Sequence, residues 1–270
     1  MLFTPGTSDV AVVLGPGGPV GTAWLLGLAA GLRHAGADLA RADLLVGTSA
    51  GAIAGAVLAT GRDLDELADL LPTSRRDPAG DATVMPRVLE ILTAPGADQR
   101  EALRQVGVLA RTADAAPAEQ HLASMERLVG ADAWPQTPLL ITAVDVVAGE
   151  PVVWNRDSGV PLHVAVAASS AAPGAVAPIT IDGRRYIDGA LGGGSNVHLA
   201  EGAGTLILIE PIGHLFPAPP VTGALRIGPD GAALEAFGPD ITDRTRWAEA
   251  YKAGLRQSTD LTDQVGPFLS

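Results

Sequence analysis

At 270 residues, with 47% hydrophobic and 18% charged positions, the chain is long enough to bury a full core and too apolar for a disordered tail. Its 18 basic against 30 acidic residues give a net charge of -12, which repels a phosphate backbone and weakens electrostatic docking on anionic membranes, so no nucleic-acid partner is expected. There is no cysteine, which excludes disulfides, thiolate chemistry and Cys-containing zinc sites and permits a reducing compartment.

The opening MLFTPGTSDV lacks a positive n-region and does not read as a signal peptide, so a cytoplasmic location is expected. Residues 10–14 (VAVVL) predict a short strand ending in a glycine turn, followed by a helix on which Trp24, Leu25, Leu28 and Leu32 recur at helical spacing until HAGADL ends it. Leu44–Val46 is a second strand and Ala50–Ala59 a second helix, rich in Ala and Gly. The charge-free run from Leu44 to Gly61 contains four glycines as well as Thr and Ser, and so reads as a buried strand–turn–helix rather than a membrane span.

From 62 to 134 the pattern changes to amphipathic segments (DLDELADLL, VMPRVLEILT, EALRQVGVLA, AEQHLASMERLV) separated by turns. No linker isolates them, so they are expected to be a helical insertion or flank within one domain spanning 1–270. Strands resume at Leu139–Val144 and Pro151–Trp154, joined as a hairpin. A helix follows over 161–172, then a short hairpin around Asp182–Gly183 and a core strand at Thr205–Glu210. Phe216–Pro239 reads as irregular and Arg244–Arg256 as a closing helix. The alternation of strand, glycine turn and helix predicts an α/β fold, a three-layer sandwich with a mostly parallel central sheet.

Within that frame GTSAG at 47–51 fits G-x-S-x-G. The pattern serves a strand that turns sharply into a helix, with the serine hydroxyl exposed at the bend and small residues, Gly47 and Gly51, on either side. Ser49 is therefore a candidate nucleophile, although a small-residue turn also suits pure architecture. A nucleophilic serine needs a base. Of five histidines, His34 falls at the tail of a helix and His121 and His163 at ordinary helix positions. His198 and His214 come late enough for the serine–acid–histidine order, but neither sits in a convincing catalytic loop. Asp188, in YIDGAL before Gly189, is the better defined partner. Asp182 at a hairpin tip and Asp145 after LLITAV compete with it, and a plain turn aspartate is the alternative.

GPGGPVG at 15–21 can hold negative charge on successive amides. Pro16 and Pro19 have no N–H, so the donors must be Gly17, Gly18 or residues after Pro19. A dinucleotide fingerprint fails in register because position 20 is valine, and no NAD or FAD is expected.

GPGGPVG, GTSAG and DGA at 188–190, in this order, resemble the patatin-like phospholipase family. The similarity runs from about 10 to 62 and from about 137 to 210. The resemblance implies an α/β fold with a Ser–Asp dyad and no histidine: Ser49 as nucleophile, Asp188 as base, and Gly17 and Gly18 as oxyanion-hole donors. Gly47, Gly51 and Gly189 support the motifs. It implies a lipid or other carboxylic ester as substrate, with transient membrane or micelle contact; no cofactor or metal is expected, since no histidine–carboxylate cluster has ligand spacing. Two departures stand out. Val20 occupies the place of the family's usual arginine or lysine, and Pro16 replaces the middle glycine of the opening triplet, which weakens recognition of an anionic phospholipid. A Ser-His-Asp esterase and a non-catalytic module of the same fold are the alternatives. The apolar residues of the helical stretch, such as Leu89, Ile91 and Leu92, suit either core packing or an acyl-chain groove.

Overall fold

The computed structural model describes residue 6 and residues 9–69, 80–216 and 218–269. Most of the N-terminal segment read above for a leader, and residues 70–79 of the 62–134 stretch, lie outside them. In chain order the first half comprises β1 (Val10–Leu14), α1 (Gly18–His34), β2 (Leu44–Gly47), α2 (Ala50–Ala59), α3 (Val84–Leu92), α4 (Gln99–Thr112) and α5 (Ala118–Val129). Then come β3 (Leu139–Asp145), β4 (Glu150–Trp154), α6 (Leu162–Ser169), β5 (Ile179–Ile181), β6 (Arg184–Asp188) and α7 (Ala190–Gly193). The chain closes with β7 (Thr205–Ile209), β8 (Leu225–Ile227), α8 (Gly231–Phe237) and α9 (Trp247–Leu269).

The sheet order is β5-β6-β3-β2-β1-β7-β8, with β4 paired to β3 outside that path. β1, β2, β3, β7 and β8 run parallel; β4, β5 and β6 are antiparallel additions. Side chains alternate across it as the pleat demands. Val12, Leu14, Leu45, Ile141, Ile207 and Ile209 join the main core with α1, α2, α6 and α9. Ala11, Val13, Leu44, Val46, Leu140, Leu206 and Leu208 point to the opposite face, covered near Val197, Ala200 and Ala218. On that face Val144 and Val146 pack against α3 and α4 through Val84, Val88, Leu103 and Val106. The result is a mixed α/β three-layer arrangement with a mostly parallel centre.

Two segments differ from the sequence reading. The stretch taken as irregular contains β8 and α8. β8 is too short to display alternation, and α8 is hidden in sequence by its Pro and Gly flanks. Its start is fixed by the Asp230 carboxylate, which accepts from Ala233 N–H at 2.8 Å. The closing helix runs on to Leu269, past Gly266 and Pro267, because Val265 and Leu269 are buried. No described helix is long and apolar enough to cross a membrane.

α9 lies against α1 along a glycine-lined seam. A side chain at Gly27 would run into the Tyr251 carbonyl oxygen, and one at Gly254 into that of Trp24. Trp24 Nε1 donates to Gln257 Oε1 at 3.0 Å across the same contact. Gly27→Ala is expected to force the helices apart and to cost about 1–3 kcal/mol, read as a lower urea midpoint.

Candidate active site

Ser49 caps α2 with φ 55° and ψ -116°. A non-glycine residue in this region carries strain of about 1–3 kcal/mol, which the surroundings must hold in place. They do so from three sides. Ser49 N–H donates to Ser169 Oγ at 3.0 Å. Thr48 N–H donates to the Leu14 carbonyl, and Gly51 N–H to the carbonyls of Gly15 and Thr48. Gly51 has no alternative, since any Cβ there would strike the Leu14 carbonyl, and one at Gly47 would crowd Gly51 and Ala52.

The register of the sheet explains what faces the serine. β4 pairs with Ile141–Asp145 and β6 with Ala143–Asp145, so these two strands lie on opposite edges of β3. β2 pairs with Leu139–Ile141 and shares the β6 edge. β2 and β6 therefore run toward each other along one edge, β2 ending level with Ile141 and β6 level with Ala143. Their ends carry Ser49 and Asp188. Ser49 Oγ donates to Asp188 Oδ2 at 2.6 Å, and Ala190 N–H donates to Oδ1 at 2.9 Å. Both side chains are buried, at 7% and 6% exposure. Burial pushes the Asp188 carboxyl up to about 6, against the opposing pull of the bonds from Ser49 and Ala190.

Thr142 sits in the gap between the two strand ends, and a polar knot forms there that the sequence reading missed. Thr142 Oγ1 is 2.9 Å from Thr48 Oγ1. Asn196 Nδ2 lies 3.1 Å from Thr48 Oγ1 and 3.2 Å from Thr142 Oγ1, tying the elbow to the loop beyond Asp188. Asn196 holds φ 54°, a left-handed conformation that asparagine tolerates, and it follows three successive glycines and Ser195. That GGGSN run was the available signal. Gly189 is needed here too, because a side chain would collide with Thr142. The end of α6 supports the Ser49–Asp188 pair from below: Ser169 holds Ser49, Gly189 N–H donates to the Ser169 carbonyl, and Asp188 N–H donates to the Ala171 carbonyl. His121 Nε2 is 2.9 Å from Ser170 Oγ, and desolvation pushes its imidazole down to about 4.

The glycine turn lies beside the elbow, since Gly15 accepts from Gly51. Gly17 caps α1, and Gly18 holds φ 62°, which favours glycine. Val20 N–H is directed to the Ile241 carbonyl at 3.5 Å, and Gly21 N–H bonds Gly17 O. With Pro16 and Pro19 lacking N–H, the amides of Gly17 and Gly18 are the turn's remaining donors. The Val20 side chain is fully buried in the main core.

Some of the competing residues are paired elsewhere and others are exposed. Asp145 accepts from the amides of Val147 and Ala148 and pairs with Arg184. Asp182 is exposed at the hairpin tip with φ 48°. His198 and His214 are exposed, His34 pairs with Asp65, and His163 with Asp132. Among the described residues no three His, Cys, Asp or Glu side chains gather as a metal set. Ile91 and Leu92 pack partly against the α3–α4 core. Ile91 also lines a hollow of about 510 Å³ together with Glu90, Ala94, Asp98, Glu101 and Ala102.

The model of the patatin-like phospholipase family matches residues 12–201. Uncharacterized NTE family proteins of Mycobacterium tuberculosis and Mycobacterium bovis are each 34% identical over 184 residues, 67% of this chain and 42% of theirs. The chain thus spans less than half the length of these relatives. Among solved structures, VipD from Legionella pneumophila aligns with a TM-score of 0.50 at 13% identity, covering 96% of this chain and 67% of that one, a likeness of fold.

Proposed function

The chain belongs to the patatin-like phospholipase family, and on that premise we propose that it is a serine acyl hydrolase that cleaves lipid or other carboxylic esters. Ser49 Oγ attacks the ester carbonyl carbon as its proton passes to Asp188 Oδ2. The tetrahedral oxyanion is held by the amides of Gly17 and Gly18. The carbonyl–alkoxy bond then breaks, and the leaving alcohol takes the proton from Asp188. Water attacks the acyl-serine, gives a proton to Asp188, and the carboxylic acid departs as Ser49 recovers its hydrogen. The observation that carries this reading is the buried 2.6 Å hydrogen bond from Ser49 to Asp188. A carboxylate with a pKa of about 6 is both ionised at neutral pH and more basic than an exposed aspartate.

A valine at position 20, buried in the core, leaves ester chemistry on backbone donors untouched and makes a neutral ester nearly as good a candidate as an anionic phospholipid. A fluorophosphonate probe is expected to add to Ser49, identified by peptide mass, with labelling abolished in Ser49→Ala. An adduct on any other residue would overturn the assignment. Asn196→Ala should lower kcat by about tenfold to a hundredfold with KM little changed, because it loosens the elbow against the Asp188 loop without touching substrate. Steady-state kinetics on a soluble ester measures this.

A further inference from the structure

The segment from Pro211 to Leu225 contains no Asp, Glu, Lys or Arg, in a chain with 30 acidic and 18 basic residues. It leaves β7 at the same end of the sheet as the Ser49 elbow and the glycine turn, because Leu14 is level with both Gly47 and Ile209. Pro211 packs directly against Gly17 and Gly21. Ile212 is buried, and its carbonyl accepts from Leu215 N–H at 2.9 Å and Phe216 N–H at 3.0 Å, closing a tight turn. Leu215 and Phe216 nevertheless remain 53% exposed each.

This tip is braced. The buried Glu210 carboxylate accepts from Ser195 Oγ at 2.9 Å, Ala218 N–H at 3.1 Å and Arg226 Nη2 at 2.6 Å. Arg226 also donates to the Ala218 carbonyl at 3.1 Å. Glu210 and Ala218, on either side of the tip, are therefore fastened, and Leu215 and Phe216 are held exposed on a loop whose Pro211 packs on the glycine turn. Exposed in water they gain nothing; against an apolar phase they gain the transfer energy of a Leu and a Phe.

We propose that Leu215 and Phe216 dock the active-site end of the sheet on an uncharged or zwitterionic lipid surface, an inference that rests on the lipid-ester reading of Ser49. The charge pattern selects that surface. A net charge of -12 repels anionic headgroups, whereas a loop carrying no Asp, Glu, Lys or Arg brings no carboxylate, ammonium or guanidinium to desolvate in the headgroup region.

The test is flotation with phosphatidylcholine vesicles, using Ser49→Ala protein so that no lipid is consumed. Adding Leu215→Ser with Phe216→Ser should weaken vesicle binding by about tenfold or more, while Phe216→Trp should retain it. With Ser49 intact, the double substitution should leave hydrolysis of a water-soluble short-chain ester unchanged and reduce hydrolysis of an ester embedded in the vesicles by a similar factor. Vesicle binding that is absent in the parent, or unaffected by the double substitution, overturns the proposal, as does an equal fall on both substrates. A change in oligomeric state without a change in flotation assigns the tip to a protein contact and also overturns it. If Ser49 is not labelled by the fluorophosphonate while flotation still depends on Leu215 and Phe216, the hydrolase reading falls and the docking stands.

Discussion

Ser49→Ala is expected to reduce ester hydrolysis by at least about a thousandfold, because the covalent route disappears and only binding and backbone donors remain. Burst kinetics with an activated ester should show loss of the acyl-enzyme phase. The fold should survive: the substitution removes one oxygen, and the backbone bonds from Thr48, Ser49 and Gly51 are untouched. Its effect on stability should depend on pH. Asp188 loses the hydrogen bond that favours its ionised form, so its pKa rises further and the variant is penalised most at neutral and higher pH. A variant that retains full turnover would remove Ser49 from the mechanism.

Asp188→Asn should reduce kcat by about a thousandfold, since the amide accepts no proton from Ser49. Wild-type kcat/KM should climb with pH through about 6 to a plateau as the free carboxyl ionises, and the residual activity of Asp188→Asn should lack that limb. Stability moves the opposite way. An exposed aspartate titrates near 3.8 and this one at about 6, so between those values the native state holds the proton more firmly than the unfolded chain. The contribution of this group is greatest below that window, falls by about 3 kcal/mol as pH rises through it, and stays low above. Asp188→Asn removes the charge and should raise the urea midpoint at pH 8 while abolishing most turnover. Equal or greater activity in that variant would exclude Asp188 as the base.

The parts of this arrangement that sequence made legible are local. GTSAG announces a bend, the small residues at 47 and 51 announce tight packing, and the glycine turn leaves a short menu of amide donors. The strands around them could be read because their apolar runs are bounded by Gly and Pro. What remained hidden is non-local. Thr48, Thr142 and Asn196 meet across 54 to 148 positions of sequence, and Ser169 reaches Ser49 across 120. Nothing in the periodicity of any one segment encodes such a meeting; it follows from β2 and β6 sharing an edge of β3. β8 and α8 escaped for a different reason, being too short, and too closely flanked by Gly and Pro, to carry a period.

That shared edge also bears on biosynthesis. Ser49 emerges from the ribosome 139 residues before Asp188, so β1, β2 and α2 are complete long before β6 exists. Until then the Ser49 hydroxyl lacks the carboxylate it donates to in the finished fold. On the proposed mechanism, competence would arrive only once the Arg184–Asp188 strand has been made and has paired with β3.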